Sequence, residues 1–95
     1  MYATVRRYAG AGALGDAMSA KSDDVRKVLT SVPGFVTYYA LRDGDTVTSV
    51  TVCDDKAGTE ESTRRAADWV KENVKSGGIG APQISSGNVF ISFSK

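Results

Sequence analysis

The chain has 95 residues, twelve Lys and Arg against eleven Asp and Glu, no histidine and one cysteine. That length holds a single domain with one core, and a net charge of +1 with both signs interspersed argues against nucleic acid and membrane surfaces as partners. Cys53 alone cannot form an intrachain disulfide, which fits a cytoplasmic setting, and no run approaches the ~18 apolar residues a membrane span needs.

Tyr2–Tyr8 is β-branched and aromatic and predicts a first strand. The stretch from Arg6-Arg7 to Met18-Ser19-Ala20 loosely mimics a signal peptide, but its apolar part is short, Gly/Ala-rich and broken by Asp16. Gly10–Gly15 is a small-residue connection. Leu14, Met18, Val25, Val28, Leu29 and Val32 then recur at helical steps with one wider gap, predicting one helix capped by Asp16 or Ser22 and ended before Pro33-Gly34.

Phe35–Leu41 and Thr46–Cys53 read as strands, and Asp43-Gly44 between them predicts a hairpin. A second helix follows, with Asp54-Asp55 or Thr59 as cap and Glu60–Arg64 and Glu61–Arg65 as i,i+4 pairs. Lys71 and Lys75 sit near its negative end. Its expected apolar face is Ala66, Ala67, Val70 and Val74, and its expected stop is Gly77-Gly78. Ser76–Asn88 reads as a loop with a short extended piece at Gln83-Ile84, before a last strand of Val89, Ile91 and Phe93.

The predicted fold class is therefore α+β, a ferredoxin-like βαββαβ arrangement over the whole of 1–95. Two helices cover only one face of four strands, yet the strands carry apolar side chains on both, as in Tyr38-Tyr39 and Val89-Phe90-Ile91. A chain this small buries only roughly 60–65% of its unfolded surface. Both points predict a homodimer with sheets packed face to face.

The runs Pro33-Gly34-Phe35, Tyr38-Tyr39, Asp43-Gly44-Asp45, Thr48-Ser49-Val50 and Glu60-Glu61-Ser62-Thr63 with Ala66-Ala67-Asp68-Trp69-Val70 resemble bacterial dimeric α+β barrel proteins. So do the opening Thr4–Tyr8 and the closing Ala81–Ile84 with Gly87; the branch resembled is the antibiotic-biosynthesis-monooxygenase-like one. That superfamily includes cofactor-free oxygenases, haem-degrading enzymes, isomerases and proteins with no known reaction. Its haem-using branches rely on a histidine ligand, which this chain lacks, so no haem, flavin or tightly held transition metal is expected.

Gly10-Ala11-Gly12-Ala13-Leu14-Gly15 is a literal GxGxxG, but Arg6-Arg7 precede it and an antiparallel hairpin follows, so it reads as a permissive loop rather than a dinucleotide site. Ligand-pocket candidates are Trp69, Asn73 and Ser62 along one border of the second helix. Pocket Trp and Asn side chains are also what the resemblance to the cofactor-free oxygenases implies. Of Tyr38 and Tyr39, and of Arg6 and Arg7, one of each pair can face a given pocket. Each of these residues also has a plainer reading as core, interface or solvated surface. Cys53 has no basic sequence neighbour to activate it and reads as an inert thiol. A nucleic-acid reading of the fold would want aromatics on both central strands, and Thr46–Cys53 has none.

The resemblance implies a cofactor-free monooxygenase acting on a small aromatic or polyketide-like substrate. The competing reading is a non-catalytic ligand-binding or accessory dimer, because no acid–base pair of recognisable spacing is present.

Overall fold

The computed structural model describes residues 1–74 and 79–95. Its elements are β1 (Tyr2–Tyr8), α1 (Gly12–Ala20), α2 (Ser22–Thr30), β2 (Phe35–Asp43), β3 (Thr46–Cys53), α3 (Lys56–Asn73) and β4 (Gln83–Asn88). The strands form one antiparallel sheet in the order β2-β3-β1-β4, the ferredoxin-like arrangement, with the helices on one face.

The hairpin forms as the Asp-Gly signal demands. Gly44 takes a positive φ of 57° in the two-residue turn between β2 and β3. The single helix expected over Leu14–Val32 is instead two, broken at Lys21 (φ −121°, ψ 37°). The break falls in the wider gap of the apolar pattern, between Met18 and Val25, where Ser19, Ala20, Ser22, Asp23 and Asp24 are all exposed. With no buried side chain to hold a straight helix there, the chain bends and keeps Met18 and Val25 on the core side. Neither expected cap is used: Ala11 and Lys21 are the N-cap residues, without side-chain bonds, and Ser22 is the first residue of α2.

One glycine of the GxGxxG, Gly15, makes room for an arginine. A Cβ on Gly15 would lie 2.9 Å from Cζ of Arg42, whose guanidinium pairs with Asp16 (3.0 Å) and donates to the Gly12 carbonyl (3.2 Å). The loop thus clasps the end of β2 to the start of α1.

Helix α3 begins at Asp55, whose carboxylate accepts from the Gly58 N–H at 3.0 Å. Glu61 pairs with Arg65 (2.7 Å) as expected, but Arg64 turns to Glu61 and Asp68 rather than to Glu60. These contacts hold the Glu61 carboxyl down at about 2. Arg65 also donates to the Ser31 hydroxyl (2.7 Å), tying α3 to the end of α2. The buried face of α3 is Gly58, Thr59, Ser62 and Trp69; Ala66, Val70 and Val74 are half-buried, and Ala67, expected on this face, is exposed. Lys75 and the expected stop at Gly77-Gly78 lie outside the described residues.

The last strand differs from expectation. Gln83–Asn88 pairs with β1 in a register running from Arg7↔Gln83 to Tyr2↔Asn88. That ladder is used up at Asn88, so Val89 adds only an N–H to the Met1 carbonyl (3.0 Å), and the apolar alternation beyond it has no strand to join. Phe90 and Phe93 are 88% and 91% exposed. Strand propensity yields here to the availability of a partner.

The sheet's patterning is inverted relative to a simple half-buried sheet. Under the helices it presents Thr4, Arg6, Ser49 and Thr51, all buried, beside Tyr8 and Val47. The opposite face carries Val5, Tyr39, Val50 and Val52 in register, and among the described residues no helix lies across them.

Where α3 meets the end of β3, a Cβ on Gly58 would lie 2.8 Å from the Cys53 Cβ and 2.9 Å from the Pro33 carbonyl oxygen. Backbone and a buried thiol cannot yield as a flexible side-chain tip can. Gly58→Ala should therefore cost about 1–3 kcal/mol in urea denaturation, despite the helix propensity of alanine. Gly87→Ala, where nothing lies within 4 Å, should stay close to wild type.

Candidate functional site

Between the helices and the sheet lies a small hollow of about 30 Å³, walled chiefly by Tyr8, Leu14, Tyr38, Val47, Trp69 and Val70. A volume of that order holds about one water. The hollow shares Met18, Val25, Leu29 and Tyr38 with an open groove of about 530 Å³ that runs between α1–α2 and the edge strand β2. The groove alone is within the usual size range of small-molecule sites. Its outer walls are Phe35, Val36, Thr37 and Ala40 on one side and Ser19, Ser22, Arg26 and Thr30 on the other.

Tyr38 stands where hollow and groove meet. Burial raises its phenol pKa, against the opposing pull of Arg6 and the Ser49 hydroxyl, so at neutral pH it is a protonated hydrogen-bond donor. Tyr8, in the hollow wall, is raised for the same first reason. Trp69 is 8% exposed and closes the hollow from α3, with its outer edge against a shallower depression beside Arg65 and Glu72.

Behind Ser49 lies Arg6, 1% exposed. Its Nε donates to Ser49 (3.1 Å), its Nη1 to Ser62 (3.2 Å) and Thr63 (2.9 Å), and its Nη2 to Thr51 (2.5 Å). Among the described residues no carboxylate pairs with it. Burial pulls its pKa down, yet a guanidinium remains a cation at neutral pH. The fold thus keeps a positive charge beside an apolar hollow, solvated by hydroxyl dipoles.

The candidates from the sequence separate accordingly. Tyr38 and Trp69 come together at the hollow. Tyr39 and Arg7 point to the opposite face and are exposed. Ser62 is buried, but its hydroxyl accepts from Arg6 and donates to the Thr59 carbonyl (2.7 Å). Asn73 lies one turn beyond Trp69, donates to the Trp69 carbonyl (2.9 Å) and accepts from Lys21 Nζ (2.8 Å), and it lines neither hollow nor groove. Among these residues sequence reasoning did not single out Ser49, Thr51 and Thr63. The available signal was that the strand positions alternating with Arg6 across the β1–β3 ladder are hydroxyl-bearing.

Cys53 is buried, and burial together with Asp55 and Asp54 pushes its thiol pKa up, as suits an unreactive core cysteine. Among the described residues no group of His, Cys, Asp and Glu is placed to hold a metal ion, and no helix is long and apolar enough to cross a membrane.

Asn73→Ala should lower stability by about 0.5–1.5 kcal/mol through its two lost bonds and leave binding in the hollow unchanged. Val70→Ala enlarges the hollow wall and should cost about 1–2 kcal/mol while admitting larger aromatic probes. Urea denaturation and fluorescence quenching of Trp69 measure the two effects.

No protein-family model matches the chain, and no curated protein sequence matches it. Solved structures do match. A monooxygenase from the gene ActVA-Orf6 of Streptomyces coelicolor, in complex with nanaomycin D, has a TM-score of 0.71 at 14% identity, covering 99% of this chain and 91% of that one. A dimeric ferredoxin-like protein from an uncultured marine organism gives 0.70 at 14% identity, covering 99% and 98%. SnoaB, a cofactor-independent oxygenase from Streptomyces nogalater, gives 0.64 at 12% identity, covering 99% and 97%. The chain has the ferredoxin-like α+β fold of the antibiotic-biosynthesis-monooxygenase-like proteins.

Proposed function

We propose that the protein is a cofactor-free monooxygenase acting on a small phenolic, polyketide-like substrate in the hollow and its groove. The observation that carries this reading is the aromatic-walled hollow under the helices, continuous at Tyr38 with a substrate-sized groove. The oxygenases among the structures of this fold support it by analogy. A phenol bound there loses its proton to solvent through the groove. The electron-rich anion then reacts with dioxygen, forming a ring C–O bond; one oxygen atom is retained in a quinone and the other leaves as water. The protein's part is a dry wall and O–H donors for the developing charge.

A second reading is favoured by one feature of the wall: among the described residues no carboxylate or imidazole lines the hollow to act as general base. A non-catalytic ligand-binding or accessory module would need none. Oxygen-electrode measurements with a dihydroxynaphthalene or anthrone decide between them. Protein-dependent oxygen uptake that persists with chelator and without added flavin is the expected outcome. Saturable binding without oxygen uptake would establish the second reading instead.

In either reading the working unit is a homodimer in the cytoplasm. Support for the dimer comes from the helix-free sheet face at Val5, Val50, Val52 and Tyr39, and from the exposed Phe90 and Phe93. Sedimentation at tens of micromolar should give a dimer, and Tyr39→Asp with Val50→Asp should give a folded monomer.

A further inference from the structure

Arg6 is a buried cation for which the described fold supplies no anion. A guanidinium offers five N–H donors, and its four bonds go to four hydroxyl oxygens, one on Nε, two on Nη1 and one on Nη2. One donor on Nη2 is left over. The titratable groups whose charge would act on Arg6 are Tyr8 on β1, Tyr38 on β2 and Cys53 on β3. All three are raised above their ordinary values and so uncharged at neutral pH, while α3 contributes only the hydroxyls of Ser62 and Thr63. Hydroxyl dipoles solvate a charge without neutralising it. In a low-dielectric interior its positive potential reaches further than it would in water.

That potential falls on the end of the hollow formed by Ser49 and Tyr38. The Ser49 oxygen accepts from Arg6 and its hydroxyl is engaged with Tyr38, so the cation polarises the Tyr38 phenol through Ser49. The Tyr38 O–H is the donor this end offers a ligand. We propose that the site takes its ligand as an oxyanion, a phenolate or enolate, with its ring in the groove and its charged oxygen at the hollow against the Tyr38 hydroxyl, held by Arg6 through Ser49 and Tyr38. This rests on the ligand site proposed above and names its chemical class. Acidic phenols and enols are preferred, and their O-methyl ethers, which cannot ionise, lose the advantage. Arg6, which does not line the hollow, and Ser49 are positioning residues; Tyr38 touches the ligand.

The probe pair is 4-nitrophenol, yellow as phenolate and colourless as phenol, and 4-nitroanisole, its methyl ether. Bound to the wild-type protein, 4-nitrophenol should ionise about one pH unit below its value in free solution, which means phenolate bound about tenfold tighter than phenol. Arg6→Lys should keep a downward shift and Arg6→Met should abolish it, with 4-nitroanisole binding equally to every folded variant. Should Arg6→Met fail to fold, the double variant Tyr38→Phe with Ser49→Ala keeps the cation, removes both hydroxyls and must shrink the shift. Wild-type protein that binds 4-nitroanisole but leaves the 4-nitrophenol titration unshifted overturns the oxyanion proposal and spares the site. A shift that survives Arg6→Met overturns it equally. Binding of neither probe overturns both the proposal and the ligand site beneath it.

Discussion

The burial of Arg6 against four hydroxyls is the interaction on which the packing of this domain turns. Taking a guanidinium out of water costs several kcal/mol, and each hydrogen bond from a charged donor returns about 1.5–3 kcal/mol. The bonds must therefore all be made, and that fixes what can stand around them. β3 has to bring Ser49 and Thr51 inward, and α3 has to present Ser62 and Thr63 at its sheet-facing side. Small residues at Gly58, Thr59 and Ser62 let α3 lie close enough for the Nη1 contacts. A larger side chain there would lift the helix and strand the cation.

This constraint has a cost on the other side of the sheet. Because β1 and β3 spend their inward positions on Thr4, Arg6, Ser49 and Thr51, their outward positions carry Val5, Val50 and Val52. Strand side chains alternate, so these valines face away from the helices. The inner layer is partly polar and satisfied, and none of its buried side-chain polar atoms among the described residues lacks a partner. The outer layer carries an apolar patch at Val5, Tyr39, Val50 and Val52, and among the described residues no helix covers it. A second surface of matching character completes such a fold more cheaply than any change within the chain.

Much of the architecture was legible because local chemistry and the fold agree. Asp43-Gly44 and the Thr/Val alternation of β3 each point one way, and the structure follows; of the candidate caps Asp54, Asp55 and Thr59 it uses Asp55. Legibility failed where a long-range partner decided the matter. Gln83–Asn88 has little strand propensity and becomes β4 because β1 has an open edge in register with it, while Val89–Phe93, the better strand former, has none. The split at Lys21 was visible as the gap between Met18 and Val25, but its meaning depended on how α1 and α2 sit over the sheet. The site was half legible. Trp69 and Tyr38 announced themselves by type, whereas the hydroxyl cage did not, because serine and threonine on a strand look the same whether they face water or a buried arginine.

The distribution of fixed contacts also explains why the opening lies where it does. Helix α3 is held by its Asp55 cap, by the Arg6 cage through Ser62 and Thr63, and by Trp69 in the core. Helices α1 and α2 have no side-chain caps; Arg42 clasps the start of α1 to β2, while Lys21–Asn73 and Arg65–Ser31 tie the α1–α2 junction and the end of α2 to α3. Along β2 the inner face meets α2 only through the walls of the groove, and Met18, the most adaptable side chain there, stands at its junction with the hollow. A ring entering from the groove thus displaces a flexible thioether and no hydrogen-bonded group. From α3 the same ring would have to break the arginine's bonds. The geometry that makes the cation expensive to bury also leaves the α2 side as the low-cost way in, with Tyr38 at the inner end of the groove and the positive charge behind it.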